Sequence, residues 1–382
     1  MNDRKLDELL GISAAQLRKK VKESQEKDIK EKFKFNLTPN ELYDKVSEFV
    51  IGQEEALQKI SNAICYHYKG LSKHGKNSKN NLLLIGPTGC GKSYVIQKIV
   101  DILKVPLISA DATKYSGTGY VGDKIENLIQ DLVIKSDYDI NAASRGVIYL
   151  DEIDKIAVKE GSGRDVSGRD VQNGLLKIIE GGDVRVVCDG TERVVNTKDI
   201  LFIGGGAFSD LYKILRATSS SAPDKQKEVD DGEILYRSKS HDLLKSLQRY
   251  GMIPELLGRI PVIAKFKQLT KDDLVKILKT SKESPIKLYQ EDFTSYGINI
   301  KFAEDSYDAI ATLAFEKGMG ARGLKSVIEE NLSPYKFYLP GSGLTDMTIS
   351  GESIRKPEET LLSLIEAQQN KQAGGKNGKN KS

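Results

Sequence analysis

Cysteine is scarce in this sequence and scattered along it. Of the 382 residues only Cys65, Cys90 and Cys188 are cysteines, and none of them belongs to a Cys-x-x-Cys pair. Structural zinc sites and disulfide frameworks need closely spaced or repeated cysteines. The sequence therefore predicts neither feature, and it predicts that the three thiols are reduced and structural.

Long apolar runs are absent as well. No stretch approaches the roughly 18 apolar residues that a membrane-spanning helix needs. Residues 1–8 carry acids and bases where a signal peptide would become apolar. We therefore expect a cytoplasmic protein that has no membrane partner.

Charge of one sign is in small excess. The chain has 58 Lys and Arg residues against 54 Asp and Glu residues, and its formal net charge at pH 7 is +4. Proteins that bind nucleic acid usually have a strong basic bias, so the sequence argues against nucleic acid as a partner. Much of the excess is local, because residues 371–382 form a Lys-, Gly- and Asn-rich tail that we expect to be disordered.

Short apolar strands alternate with helices after Thr38. The segment Thr38-Pro39-Asn40-Glu41 combines a capping residue, a proline and a glutamate that together predict a helix beginning at Pro39. This alternation predicts an α/β fold whose parallel sheet is covered by helices on both faces. The predicted strands are Leu82–Ile85, Leu107–Ala110, Val147–Leu150 and Ile200–Ile203, with helices from Lys92, from about Gly122 and around Val171–Glu180.

The pattern becomes helix-rich after Pro261, which predicts a second, smaller α+β domain. Its expected helices are Lys271–Thr280, Ser284–Phe293, Glu304–Glu316 and Ala321–Asn331, with one strand at Ile298–Phe302. The polar segment Arg216–Ser240 lacks periodicity, and we expect a mobile loop there. The predicted division is a charged helical extension at 1–37, a large nucleotide-binding domain at 38–264, the small domain at 265–352 and a C-terminal segment at 353–382.

A glycine-rich motif follows the first predicted strand. Residues 86–93 match the P-loop pattern, in which glycines let backbone N–H groups point at phosphate oxygens. Lys92 would reach the β- and γ-phosphates, and the Ser93 hydroxyl would bind Mg²⁺. The residues that we predict to bind the phosphates are Gly86, Pro87, Thr88, Gly89, Cys90, Gly91, Lys92 and Ser93.

Two adjacent carboxylates end the buried strand at Val147–Leu150. Asp151 would help to hold Mg²⁺, and Glu152 would polarise the attacking water. Hydrolysis also needs positive charge near the γ-phosphate, which arginine commonly supplies. Arg259 and Arg322 are the candidates, although local pattern alone does not separate either from an ordinary surface arginine.

The loop Gly117–Gly122 fits no part of a nucleotide site. It places Tyr120 and Val121 between glycines, and a large apolar group at a loop tip indicates contact with another molecule. The alternative is that Tyr120 folds back into the core.

These motifs resemble those of the AAA+ ATPases and, within them, the ClpX family of protein unfoldases. The resemblance runs from about Pro39 to Leu339 and rests on many short segments in the same order. They are Val50-Ile51-Gly52-Gln53 and the segments at residues 110–113, 119–122, 150–156, 164–168, 205–208, 253–255 and 258–261.

The resemblance implies a homohexameric ring that binds ATP at its subunit interfaces and pulls protein substrates through a central pore. Val50 and Ile51 would line the adenine pocket. Arg259 would act as an arginine finger in the neighbouring subunit's site, and Arg322 would join the small domain to the nucleotide. The residues that would grip the polypeptide are Tyr120 and Val121 in a first pore loop and Arg164 in a second.

Three segments depart from the family pattern. The charged segment Lys5–Lys34 stands where the family usually has a four-cysteine zinc-binding domain. Gly182–Lys198 lacks the Arg-Lys-His loop of the pore entrance and contains a predicted Asp189-Gly190 turn. Arg216–Ser240 lacks the Ile-Gly-Phe-like tripeptide that docks on the ClpP protease, and its nearest large apolar pair is Leu235-Tyr236. We therefore predict that ClpP is not a partner.

The sequence favours an ATP-dependent unfoldase or remodelling chaperone that acts without ClpP. The alternative is an ATPase specificity subunit of a Clp-type protease that uses a diverged docking loop. A DNA-handling AAA+ ATPase is less favoured because the sequence has no evident cluster of basic residues that would bind DNA. A nucleotide switch without hydrolysis is opposed by the presence of both Glu152 and Arg259.

Overall fold

A parallel sheet of five strands forms the centre of the first domain in the computed structural model, which describes residues 35–72, 79–116, 123–158, 166–218 and 231–377. The strand order is β2-β5-β8-β1-β9, and all neighbours are parallel. Parallel strands end at a common edge, so the segments after β1 and β5 lie at the same edge of the sheet, with β8 between the two strands. The strands are β1 (Leu82–Ile85), β2 (Leu107–Asp111), β5 (Val147–Asp151), β8 (Leu201–Gly206) and β9 (Val262–Lys265).

Helices cover both faces of this sheet, as the sequence predicts. Alternate residues of β1 enter different cores: Leu83 and Ile85 belong to one cluster, and Leu82 and Leu84 to the other. The helices are α1 (Pro39–Ser47), α2 (Glu54–Ser72), α3 (Lys92–Leu103), α4 (Asn127–Lys135), α5 (Ile140–Ala143), α6 (Val166–Ile179), α7 (Leu211–Thr218), α8 (Asp231–Arg237), α9 (Ser240–Tyr250) and α10 (Pro254–Gly258).

The predicted start of α1 is confirmed. The Thr38 hydroxyl accepts a hydrogen bond from the Glu41 N–H at 3.3 Å, and Glu41 Oε2 accepts from the Thr38 N–H at 2.8 Å. This reciprocal capping box satisfies two backbone donors that the helix itself leaves unpaired.

Among the described residues of the first domain, two small sheets lie outside the central one. Strands β3 (Tyr115–Ser116) and β4 (Asp123–Lys124) pair in parallel, whereas β6 (Asp183–Cys188) and β7 (Thr191–Asn196) form an antiparallel hairpin. The predicted Asp189-Gly190 turn closes this hairpin. Both residues have positive φ, 52° and 71°, as a tight hairpin turn requires.

The second domain combines helices with one pair of parallel strands. Its core contains Leu274, Ile310, Leu324, Val327 and Leu361. Leu361 lies beyond residue 352, where the sequence predicts the small domain to end, and the division of the chain stays a prediction. The elements are α11 (Lys271–Thr280), α12 (Pro285–Thr294), β10 (Asn299–Phe302), α13 (Glu304–Glu316), α14 (Ala321–Tyr338), β11 (Asp346–Ile349), α15 (Gly351–Arg355) and α16 (Pro357–Asn377).

Three sequence predictions about local structure are wrong. Helix α4 begins at Asn127 and not near Gly122, because strand β4 precedes it. The segment Arg216–Ser240 is not simply a loop, since it includes α8, whose Leu235 is 7% exposed and belongs to a core cluster. The tail is helical as far as Asn377, although disorder was expected from residue 371.

Some predictions concern residues outside the described ranges. These are the extension at 1–34, the loop residues Tyr120, Val121 and Arg164, and the segment 219–230. Within the ranges that are described, no helix has both the length and the apolar character needed to cross a membrane. The three cysteines are buried and free.

Candidate nucleotide site

The P-loop lies between β1 and the start of α3, at the carboxyl edge of the sheet. Gly89 and Gly91 have φ values of 77° and 100°, a region that residues with a Cβ rarely adopt. Gly91 caps α3, whose first residue is Lys92. The glycines of this motif are therefore required by the backbone path of the loop.

Several carbonyl groups of the P-loop accept hydrogen bonds from donors of the protein itself. Lys92 Nζ donates to the carbonyls of Gly86 at 2.6 Å and Pro87 at 3.0 Å. The Gln53 amide donates to the Cys90 carbonyl at 3.3 Å and to the Lys267 carbonyl at 2.9 Å. Gln53 thus ties the P-loop to the segment that leaves β9. The sequence places Gln53 in a family motif, but local pattern gave it no role.

Lys92 and Cys90 are both buried within the loop. Lys92 is only 8% exposed, although its side chain is the longest in the motif. Burial raises the pKa of the Cys90 thiol, so that this cysteine stays protonated at neutral pH. Cys90 is therefore a packing residue beside the phosphate cradle rather than a nucleophile.

A hydroxyl and a carboxylate meet beside the P-loop. Ser93 Oγ donates to Asp151 Oδ2 at 2.9 Å, and it lies 3.2 Å from the hydroxyl of Tyr149. Both Ser93 and Asp151 are half-buried. Hydroxyl and carboxylate oxygens are the ligands that Mg²⁺ prefers, so this pair fits the predicted metal site. Tyr149 was not predicted as a site residue.

Glu152 follows Asp151 in an unusual backbone conformation. Its φ is 55°, and its side chain is exposed towards the cleft that it lines. The next turn is fixed by Asp154, which is buried and accepts hydrogen bonds from the N–H groups of Ala207 and Phe208, each at 3.3 Å. Strand β5 and the end of β8 are thereby joined directly behind Glu152.

A cleft of about 1080 Å³ opens between the two domains. Val50 and Ile51 line it together with the P-loop from Thr88 to Ser93, whereas Gly86 and Pro87 do not. Asp151 and Glu152 face the same space. The structure therefore gathers most of the predicted nucleotide-binding residues in one cavity, whose volume suits a nucleotide.

The small domain contributes the opposite wall of this cleft through the start of α14. Arg322 and Lys325 line the cleft. The Ala321 N–H donates to the Gly89 carbonyl at 3.0 Å, and a Cβ on Gly320 would lie 2.6 Å from that carbonyl oxygen. Two glycines thus allow the P-loop and the first turn of α14 to touch, a contact that the sequence did not reveal.

Arg259 lies elsewhere. It lines a separate cavity of about 300 Å³ with Lys79 and Glu180. Its guanidinium Nη2 donates to Glu180 Oε1 at 2.9 Å, and its carbonyl accepts from the amide of the buried Asn81 at 2.8 Å. Burial lowers the pKa of Lys79 to about 8. The structure does not bring Arg259 to the nucleotide cleft of its own chain.

Comparisons with known proteins agree with this geometry. A family model described as the AAA domain (Cdc48 subfamily) matches residues 77–263, which include β1 and the P-loop. A model for the C-terminal, D2-small domain, of ClpB protein matches residues 269–336. The first match ends at residue 263 and the second begins at residue 269, so the boundary between them separates the two domains that line the cleft.

Relatives match over most of the chain. The ATP-dependent Clp protease ATP-binding subunit ClpX 2 of Wolinella succinogenes is 37% identical over 342 residues, which cover 85% of this chain and 83% of the relative. The ClpX subunit of Treponema denticola is 38% identical over 352 residues, covering 85% and 84%. That of Borrelia duttonii is 39% identical over 327 residues, covering 80% and 75%.

The chain belongs to the ClpX family of AAA+ ATPases. It is accordingly an enzyme that binds and hydrolyses ATP. In this ClpX-like chain, the interdomain cleft brings the P-loop together with the carboxylates of Asp151 and Glu152.

The contact between Gly320 and the P-loop predicts a specific effect on nucleotide binding. Gly320→Ala places a Cβ against the Gly89 carbonyl and should break its hydrogen bond with Ala321. A hydrogen bond contributes about 1 kcal/mol, so we expect the affinity for ADP to fall about fivefold in equilibrium titrations.

Gly318→Ala is the matched control. Gly318 also has positive φ, 65°, but a Cβ there would meet nothing within 4 Å. The control should therefore bind ADP like the parent chain. If both variants lost affinity equally, backbone strain would explain the effect and the contact would have no part in it.

Proposed function

We propose that this chain is an ATP-dependent protein unfoldase of the cytoplasm that assembles as a homohexamer and moves polypeptides through a central pore. The observation that carries the proposal is the cleft, because its two walls belong to different domains. A nucleotide bound there contacts both domains, so its hydrolysis can change their relative position. The match to ClpX subunits over most of the chain supports the same function.

Each residue at the cleft has a chemical task in this proposal. Lys92 exchanges the carbonyls of its own loop for phosphate oxygens, and Arg322 adds positive charge from the small domain. Ser93 and Asp151 would hold Mg²⁺, which would neutralise phosphate charge when bound. Glu152, exposed to the cleft, accepts the proton of the attacking water. Val50 and Ile51 provide the apolar surface for adenine.

Binding and turnover should separate in two variants. Lys92→Ala removes the cation of the P-loop and should abolish ATP binding. Glu152→Gln keeps the shape of the side chain but removes its basicity, so ATP should bind normally while turnover falls at least about a hundredfold. Equilibrium binding of a fluorescent ATP analogue and phosphate release would measure the two effects. Normal turnover in Glu152→Gln would reject its role as the base.

Arg259 acts across a subunit interface in this proposal. It lies in a different cavity from the P-loop, and its side chain is 56% exposed beside Glu180. Arg259 does not line the cleft of its own chain, and an exposed arginine would be available to the phosphates of a neighbouring chain. Assembly would then be required for hydrolysis.

Mixed rings provide the test of action in trans. Arg259→Ala and Glu152→Gln subunits should each be inactive alone. When they are mixed, some interfaces join an intact Arg259 to an intact Glu152, and part of the ATP hydrolysis should return. A mixture of Arg259→Ala subunits with Lys92→Ala subunits should behave similarly. No recovery in rings shown by native mass spectrometry to be mixed would count against action in trans.

The pore loops connect hydrolysis to movement of the substrate. Tyr120 and Val121, with Arg164 in a second loop, are assigned to the polypeptide by family resemblance alone. Tyr120→Ala should reduce unfolding of a tagged fluorescent protein much more than it reduces ATP turnover, because the nucleotide cleft is left intact. Tyr115→Phe, in strand β3 before this loop, is the control and should unfold the protein at the parent rate. If Tyr120→Ala reduced unfolding and ATP turnover equally, Tyr120 would be better explained as a core residue whose loss damages the fold.

The alternative function is that of the ATPase subunit of a Clp-type protease, and the names of the relatives favour it. ClpP is not included as a partner because the predicted docking loop lacks an apolar tripeptide. Leu235, the best substitute anchor in the sequence, belongs to the core and is 7% exposed. Addition of ClpP to the same unfolding assay distinguishes the two functions, since only the protease subunit would deliver the tagged protein for degradation.

A further inference from the structure

The hydroxyl of Tyr149 lies beside the predicted metal site, in contact with Ser93, and no catalytic task is assigned to it. Tyr149 is on β5, two residues before Asp151, so both side chains leave the strand on the same face. The phenol is 1% exposed. Its oxygen lies 3.2 Å from Ser93 Oγ, on the first turn of α3.

The direction of the hydrogen bonds follows from counting protons. A serine hydroxyl has one proton and two lone pairs. Ser93 uses its proton in the bond to Asp151 Oδ2 at 2.9 Å. The phenol must therefore be the donor in the contact between Tyr149 and Ser93.

One lone pair of Ser93 is left after these two bonds. The bond to Asp151 and the bond from Tyr149 together fix the rotation of the hydroxyl. A hydroxyl that is fixed in this way presents its last lone pair in one direction and loses little freedom when a cation binds. Without the phenol of Tyr149, the Ser93 hydroxyl would keep only its hydrogen bond to Asp151.

The neighbouring strand leaves space for the phenol. A Cβ on Gly205 of β8 would lie 2.2 Å from the Tyr149 oxygen, closer than any non-bonded contact allows. The residue at position 205 therefore decides whether the hydroxyl can occupy this place. The position of the Tyr149 hydroxyl thus depends on the absence of a side chain at Gly205, on the adjacent strand of the sheet.

We propose that Tyr149 is a positioning residue that orients the Ser93 hydroxyl for Mg²⁺. The proposal rests on the function proposed above, in which Ser93 and Asp151 hold the metal ion. Tyr149 acts through Ser93 and does not itself touch the nucleotide or the metal. Its effect should appear in the dependence of nucleotide binding on Mg²⁺ rather than in nucleotide binding itself.

The test is a Mg²⁺ titration of the binding of a fluorescent, non-hydrolysable ATP analogue to the full chain. Tyr149→Phe removes only the hydroxyl. The Mg²⁺ concentration that gives half of the affinity gain should rise about fivefold, the effect of one hydrogen bond. Affinity for the analogue in EDTA should stay unchanged.

Tyr68→Phe is the matched control. Tyr68 is fully buried in the same core cluster as Tyr149, but its hydroxyl donates to the Arg145 carbonyl at 3.0 Å. This variant also loses one buried hydroxyl, and it should keep the parent Mg²⁺ midpoint. Gly205→Ala, which displaces the phenol without removing it, should shift the midpoint in the same direction as Tyr149→Phe.

Two results would overturn the proposal. The Tyr149→Phe titration could coincide with that of the parent chain, or affinity could fall equally with and without Mg²⁺, as expected of a purely structural residue. In either case a parent chain that responds to Mg²⁺ leaves the proposed function standing. A parent chain with no response to Mg²⁺ would overturn the assignment of Ser93 and Asp151 as well.

Discussion

The conformation of the P-loop is the constraint on which the rest of this molecule depends. A loop that presents its N–H groups to phosphate must satisfy its carbonyl groups elsewhere, since buried backbone acceptors are costly when unpaired. Here the donors come from Lys92 in the loop itself, from Gln53 before helix α2 and from Ala321 in the small domain. The phosphate cradle is therefore formed jointly by distant parts of the chain.

That shared support makes the position of the small domain relevant to nucleotide binding. Because the Gly89 carbonyl is bonded to the first turn of α14, rotation of the small domain away from the P-loop would cost this hydrogen bond. Arg322 is the second residue of the same helix and faces the same cleft. Any movement that releases Gly89 also moves this charge. The two effects have the same cause, and both connect the position of the small domain to the cleft.

The sequence predicted the parts of the fold that local chemistry determines. Helix α1 begins at Pro39 because its cap is complete within four residues, and the P-loop follows a strand that is apolar throughout. Pairing between distant segments was less accessible: β11 pairs with β10, which lies two helices earlier in the chain, whereas the β6–β7 hairpin has a local signal in its Asp189-Gly190 turn. The same limit applies to the site. Lys92, Asp151 and Glu152 are recognisable by motif, but the contacts of Tyr149, Gln53 and Gly320 depend on how separate strands and domains meet.

The ion pair of Arg259 places little energetic constraint on the guanidinium group. Its partner Glu180 is 44% exposed, and an ion pair between exposed side chains contributes only about 0–1 kcal/mol. Such a pair orients the guanidinium but does not hold it against competing phosphate oxygens, which bind arginine more strongly through charge-assisted hydrogen bonds. The hydrogen bond from Asn81 fixes the backbone of Arg259 to the start of β1. The side chain is thus free to exchange partners while its backbone stays joined to the strand that leads into the P-loop.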